Sequence, residues 1–164
     1  MRSLVVPIGE GRDSKWAVDY VIELYRREAP QVHLLNVQTP LPLYVTRFLN
    51  KQTVGEFHRE NGMRTLQGAI ERLDAAGVPH TDHVLVGRKA ETIASFAREQ
   101  GCDRIVLPKR EAGLVSSLGL GSVGTQVRQL IGAGDQCDIC LIFSGNPDHS
   151  ICPHFCSISD LPDG

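Results

Sequence analysis

No stretch of this 164-residue sequence stays apolar over the length of a membrane span, which excludes a long hydrophobic transmembrane helix. It has no basic excess either. Lys and Arg total 17 against 19 Asp and Glu, a formal charge of −2, so the basic face of a nucleic-acid binder is not expected. The opening MRSLVVPIGEG has only a short apolar run and no small-residue cleavage site. It does not read as a signal peptide, and a cytoplasmic location is the expectation. The cysteines number five, an odd count that favours reduced thiols over a disulfide framework.

Several catalytic signatures are missing as well. No Gly-x-Gly-x-x-Gly follows the first apolar run, as a dinucleotide site would need; GLGLGS occurs late, after a long loop and opening a helix, which is the wrong context. There is no His-x-Gly-His of a nucleotidyltransferase. GEGRDS has the Asp-Ser but not the paired glycines of an ATP-pyrophosphatase loop. No Ser-His-Asp or paired-carboxylate constellation is visible, and His58, His80 and His83 have no nearby partner pattern suggesting catalysis.

What is present is an alternation of short β-rich runs with longer helical patterns, the signature of a parallel sheet with crossover helices. The strands are read at Ser3 to Ile8, Val32 to Val37, His80 to Gly87, Asp103 to Pro108 and Cys137 to Phe143. Ala17, Tyr20, Val21, Leu24 and Tyr25 form the first helical stripe, with Asp13 or Ser14 as its N-cap and Pro30 as its end. QTPLPLYVTRFLNKQTV reads as a surface excursion leading into a long helix. Met63, Leu66, Ala69, Ile70 and Leu73 give that helix its buried face, and Gly77 ends it. Ala90, Ile93, Ala94 and Ala97 mark the next helix, stopped at Gly101; Val123, Val127, Leu130 and Ile131 mark the last. Trp16 and Phe96 are expected in the core.

The expected fold is α/β: a single-domain, open, doubly wound five-stranded parallel sheet, Rossmann-like, in the order 3-2-1-4-5, with four helices. The domain covers residues 1–145, and 146–164, polar and holding Pro147, Pro153 and Pro162, reads as a flexible tail. Ligands of such sheets sit at the carboxyl ends of the strands, so chemistry is sought after Ile8, Val37 and Pro108.

The order of these pieces resembles the universal stress protein family. LVVPIGEGRDSKWAV resembles the family's opening, AAGVPHTDHVLVGRKAETIASFAREQGCDRIVL its central third, and LGLGSVGTQVRQLI the Leu-Gly-Ser-Val start of its last helix. Together they span Ser3 to Phe143. Family members that bind ATP carry Gly-x2-Gly-x9-Gly-Ser/Thr after strand four and an Asp at the end of strand one. Here the spacing is kept while residues change: Pro108 and Glu111 replace the first two glycines, Gly9 replaces the Asp, and Gly121 and Ser122 remain.

Each change has a physical consequence. Pro108 has no N–H to give a phosphate. Glu111 would set a carboxylate against a triphosphate, costing about 1–4 kcal/mol at surface-like dielectrics. Gly9 offers nothing to ribose hydroxyls. The helix N-terminus at Gly121, Ser122 and Val123 is either a plain N-cap or a weak anion site, to which Lys109 and Arg110 would add charge. By the resemblance, the nucleotide-site positions are Ile8, Gly9, Val37, Leu107, Pro108, Arg110, Gly121, Ser122 and Val123.

The expected function is therefore a stress-response binding and regulatory module that does not depend on ATP, with no catalytic residues and no required cofactor. The resemblance also implies a homodimer through strand five, Asp138 to Phe143, because an apolar edge strand needs a cover. The alternative is an ATP-binding member, with magnesium and weak or no ATPase activity. A third reading is a redox or metal sensor built on Cys137, Cys140, His149, Cys152, His154 and Cys156. Against it, cysteines three apart on a strand face opposite ways, and Cys152-x3-Cys156 is not a zinc-knuckle spacing.

Overall fold

The computed structural model describes residues 2–10, 13–109, 123–131 and 138–143. Five strands run β1 (Ser3–Pro7), β2 (Gln31–Gln38), β3 (His80–Val86), β4 (Arg104–Lys109) and β5 (Asp138–Phe143). They pair in parallel in the order β3-β2-β1-β4-β5. The helices among the described residues are α1 (Asp13–Glu28), α2 (Leu43–Thr46), α3 (Lys51–Ala75), α4 (Lys89–Glu99) and α5 (Val123–Leu130). None of them is long and apolar enough to cross a membrane.

The expectation of four helices is corrected to five among the described residues. In the stretch read as a surface excursion, Pro42, at φ −58°, starts the single turn of α2, where its missing N–H costs nothing. Further along the same stretch, Asn50 caps α3 by accepting from the Thr53 N–H at 2.7 Å, so Lys51 to Val54 are already helical.

Side chains alternate across the strands and build one core layer on each face. Leu4, Val6, Val32 and Leu34 pack with Val18 and Val21 of α1 and with Leu66 and Leu73 of α3. On the other face, Val5, Leu35 and Ile105 meet Ile93 and Phe96 of α4 and Val127 of α5. The strands inside the sheet are covered twice, which is why they read as continuous apolar runs. Three expected core residues stand differently: Met63 is 38% exposed, Leu130 39% exposed, and Trp16 half-buried. The α3 stripe is His58, Gly62, Leu66, Ala69 and Leu73, a phase that leaves Met63 outside.

Two helices end as their glycines indicate. At Gly77 (φ +69°) the Val78 N–H donates to Leu73 and the Gly77 N–H to Asp74; at Gly101 (φ +61°) Cys102 donates to Ala97 and Gly101 to Arg98. These are paired 6→1 and 5→2 closures, each with a buried apolar contact between its ends. Helix α1 ends differently. Ala29 is exposed at φ +45°, held there between the helix and Pro30, which disfavours α backbone in the residue before it. Ala29→Gly relieves that strain and should raise the urea-unfolding free energy by about 0.5–1 kcal/mol, net of the entropy glycine adds to the unfolded chain.

Candidate functional site

The carboxyl edge of the sheet is shaped by where β1 and β4 part. They are in register only at Leu4↔Arg104 and Val5↔Ile105, whereas β1 stays with β2 as far as Pro7↔Leu35. From Val6 onward β1 and β4 are no longer paired, which marks the crevice position at the change of winding direction, where open α/β sheets gather ligands. Pro7 sits at that divergence, where its lack of an N–H removes no bond to β4.

The two flanks are fixed differently. The Ile8 N–H donates to the Leu35 carbonyl at 2.8 Å, and the Ile8 carbonyl accepts from Asn36 Nδ2 at 2.8 Å. Gln38 Nε2 in turn donates to Asn36 Oδ1 at 2.6 Å. Asn36 is only 3% exposed, so this bonding is what makes a buried amide tolerable in an apolar strand. It clamps the end of β1 immediately before Gly9, which is exposed and has open space where a Cβ would stand. The Gly9 carbonyl accepts from Ser14 Oγ at 3.0 Å. Ser14, one of the two expected caps of α1, thus spends its hydroxyl as a donor on the preceding loop.

On the other flank, Leu107 is buried and Pro108 lies within β4, its backbone in register with Ile142 of β5. Val37 is buried against the α4 layer, and Val123, first residue of α5, packs on the same layer half-buried. The structure thus brings Ile8, Gly9, Val37, Leu107 and Val123 to one end of the sheet. Arg110, Glu111, Gly121 and Ser122 lie outside the described residues. Arg88, the N-cap residue of α4, is exposed and paired with Glu91 at 3.2 Å.

Sequence reasoning missed Asn36, as well as a cleft of about 480 Å³ that starts at Ile8 and Gly9 and runs between α1 and α3. The signal for Asn36 was available: it is one of two polar residues inside VHLLNV. The cleft had none, because its walls come from segments about fifty residues apart.

Of the residues in the redox or metal reading, only Cys140, in β5, falls within the described residues. Cys102 is buried, and burial pushes its thiol above the usual range, which keeps it protonated and unreactive. No group of three metal-ligating side chains occurs among the described residues. Cys137, Cys152 and Cys156 lie outside them.

Comparison with known proteins agrees with this architecture. The family model described as "Universal stress protein family" matches residues 1–131. No curated protein matches the chain in sequence. Among solved structures, a universal stress protein in complex with cAMP is 18% identical, with a TM-score of 0.63 over 88% of this chain and 98% of that one. The Archaeoglobus fulgidus universal stress protein in complex with dAMP gives 18%, 0.59, 87% and 98%. An Arabidopsis thaliana universal stress protein family protein with AMP bound gives 16%, 0.61, 93% and 98%. At these identities the structures establish the fold alone; the family model, which spans most of the chain, establishes that it belongs to the universal stress protein family.

Proposed function

We propose that this chain is a stress-response binding and regulatory module that works without ATP and assembles as a homodimer through β5. The observation that carries the ATP half is Pro108. It occupies the position of the family signature's first glycine, and its backbone is committed to the β4–β5 ladder with no N–H to give. Across the crevice Gly9 supplies no carboxylate for a ribose. A triphosphate would meet neither the glycine cradle nor the acidic anchor.

A second reading is favoured by the three relatives named above, whose ligands are cAMP, dAMP and AMP. A single phosphate asks less of the loop than three do, and the retained Gly121-Ser122 with the start of α5 suits it. Isothermal titration with magnesium-ATP and, separately, with AMP distinguishes these. The proposal expects no ATP binding below millimolar concentrations; sub-millimolar ATP binding abolished by Ser122→Ala would overturn it.

The dimer half rests on sheet order. β5 is an outermost strand of the described sheet, and an unpaired apolar edge invites a second strand. Light scattering should give twice the mass of one chain, and a monomer across a broad concentration range sinks this part.

A further inference from the structure

The cleft between α1 and α3 has a composition that the carboxyl-edge crevice does not share. Its apolar surface is Ile8, Val18 and Ala69, all buried side chains of the core layer beneath it. Around that surface stand three cationic side chains, Lys15 from α1 and Arg64 and Arg72 from α3, against a single carboxylate, Glu10. Among the described residues neither Lys15 nor Arg64 forms an ion pair; Arg64 Nη1 only reaches Asn61 Oδ1 at 3.5 Å. Arg72 is anchored by its Nη2, which donates to Asp19, so its guanidinium is held in place from behind. Its Nε is buried and has no partner. A buried charged donor without an acceptor is unusual, and here it belongs to a residue that lines a cavity. Gly68 keeps the α3 wall open: a Cβ there would meet nothing within 4 Å.

We propose that this cleft binds a small organic anion, a single phosphate or carboxylate on an apolar body, at a site that meets the crevice between β1 and β4 only at Ile8 and Gly9. The anionic group lies between Arg64 and Arg72: the Arg64 fork suits two oxygens, Arg72 offers Nη1 beside its pair with Asp19, and Lys15 adds charge. The body lies on Ile8, Val18 and Ala69. The volume is within the range of small-molecule sites, and the mix of apolar floor and few convergent polar groups is theirs too. Glu10 disfavours ligands that carry several anionic groups, which argues for one.

The test uses the intact protein, isotopically labelled, with phenyl phosphate and benzoate as the two anionic probes and benzyl alcohol and inorganic phosphate as controls. Either anionic probe alone suffices, and which one binds more tightly names the preferred anion. Saturable shifts are expected at the Gly9 and Gly68 amides and the Arg72 Nε–H. Arg64→Ala should weaken the affinity about tenfold. Gly68→Leu should abolish binding while leaving the protein folded, because the site has room and glycine is a poor helix residue. The proposal is overturned if neither anion saturates, if either control binds as well, or if folded Gly68→Leu retains affinity. Shifts confined to Gly121, Ser122 and Val123 would also overturn it, while leaving the nucleotide reading of the crevice intact.

Discussion

Replacing Gly62 by alanine will destabilise this protein, and the same replacement at Gly55, two turns earlier on the same helix, will stabilise it. Intrinsic helix propensity favours alanine by about 0.8–1 kcal/mol at either position of α3. At Gly55 nothing lies within 4 Å of the added carbon, so that gain is realised. At Gly62 the added carbon would fall on both methyls of Val84, with Val84 Cγ2 at 2.7 Å and Cβ at 3.1 Å. Valine is stiff at χ1 and cannot swing aside, so α3 must lift from β3. The overpacking costs about 1–3 kcal/mol and outweighs the propensity. Gly62→Val, with two further methyls, should lose about 3 kcal/mol, or some 6–12 °C in Tm for a chain of this length. Val84→Ala makes the room, so in a double-mutant cycle Gly62→Ala and Val84→Ala should couple favourably by at least about 1 kcal/mol. Thermal unfolding of the five variants decides it; equal signs at Gly55 and Gly62 would refute the close packing of α3 on β3.

The same glycine shows where the sequence was readable and where it was not. A helical stripe announces itself when its buried positions carry apolar side chains, as with Ala17, Val21 and Leu24 of α1 or Ile93, Ala94 and Ala97 of α4. The buried positions of α3 include a histidine and a glycine, His58 and Gly62, while an exposed methionine sits at an adjacent phase. Periodicity counts side chains, and a glycine buried for closeness contributes none. Strand identity and the helix-ending glycines were legible because each depends on local chemistry. The site was legible only along the chain. Gly9 could be matched to a strand end, but Asn36 reaching across to the Ile8 carbonyl is a tertiary fact. So is the convergence of Lys15, Arg64 and Arg72, which in sequence are ordinary surface charges on two helices.

Acidification should destabilise the protein through a pair of histidines fifty residues apart in the sequence. His33, 5% exposed on β2, and His83, half-buried on β3, place Nδ1 and Nε2 3.1 Å apart. Both rings pack on Phe96 of α4, with centroids at 6.0 and 4.7 Å. One ring must donate and the other accept, which two protonated rings cannot do. Burial, and then the neighbouring His83, pushes the pKa of His33 below its ordinary value; burial does the same for His83, although Asp82 opposes it. Because the unfolded chain binds these protons near pH 6.5 and the folded one resists them, stability is fully present above that pH and is lost as pH falls below it. Each proton that the folded state resists steepens the fall of stability with falling pH, His83 less than His33 because it is partly open to solvent. Urea midpoints across that range should fall in the wild type. His33→Asn keeps a hydrogen-bonding partner for His83 without a titrating ring, and it should flatten the slope by about one proton against the same carboxylate background. A wild type and a variant with parallel pH profiles would mean that the pair accepts its protons in the folded state. In that case the pair acts through its packing on Phe96 rather than through charge.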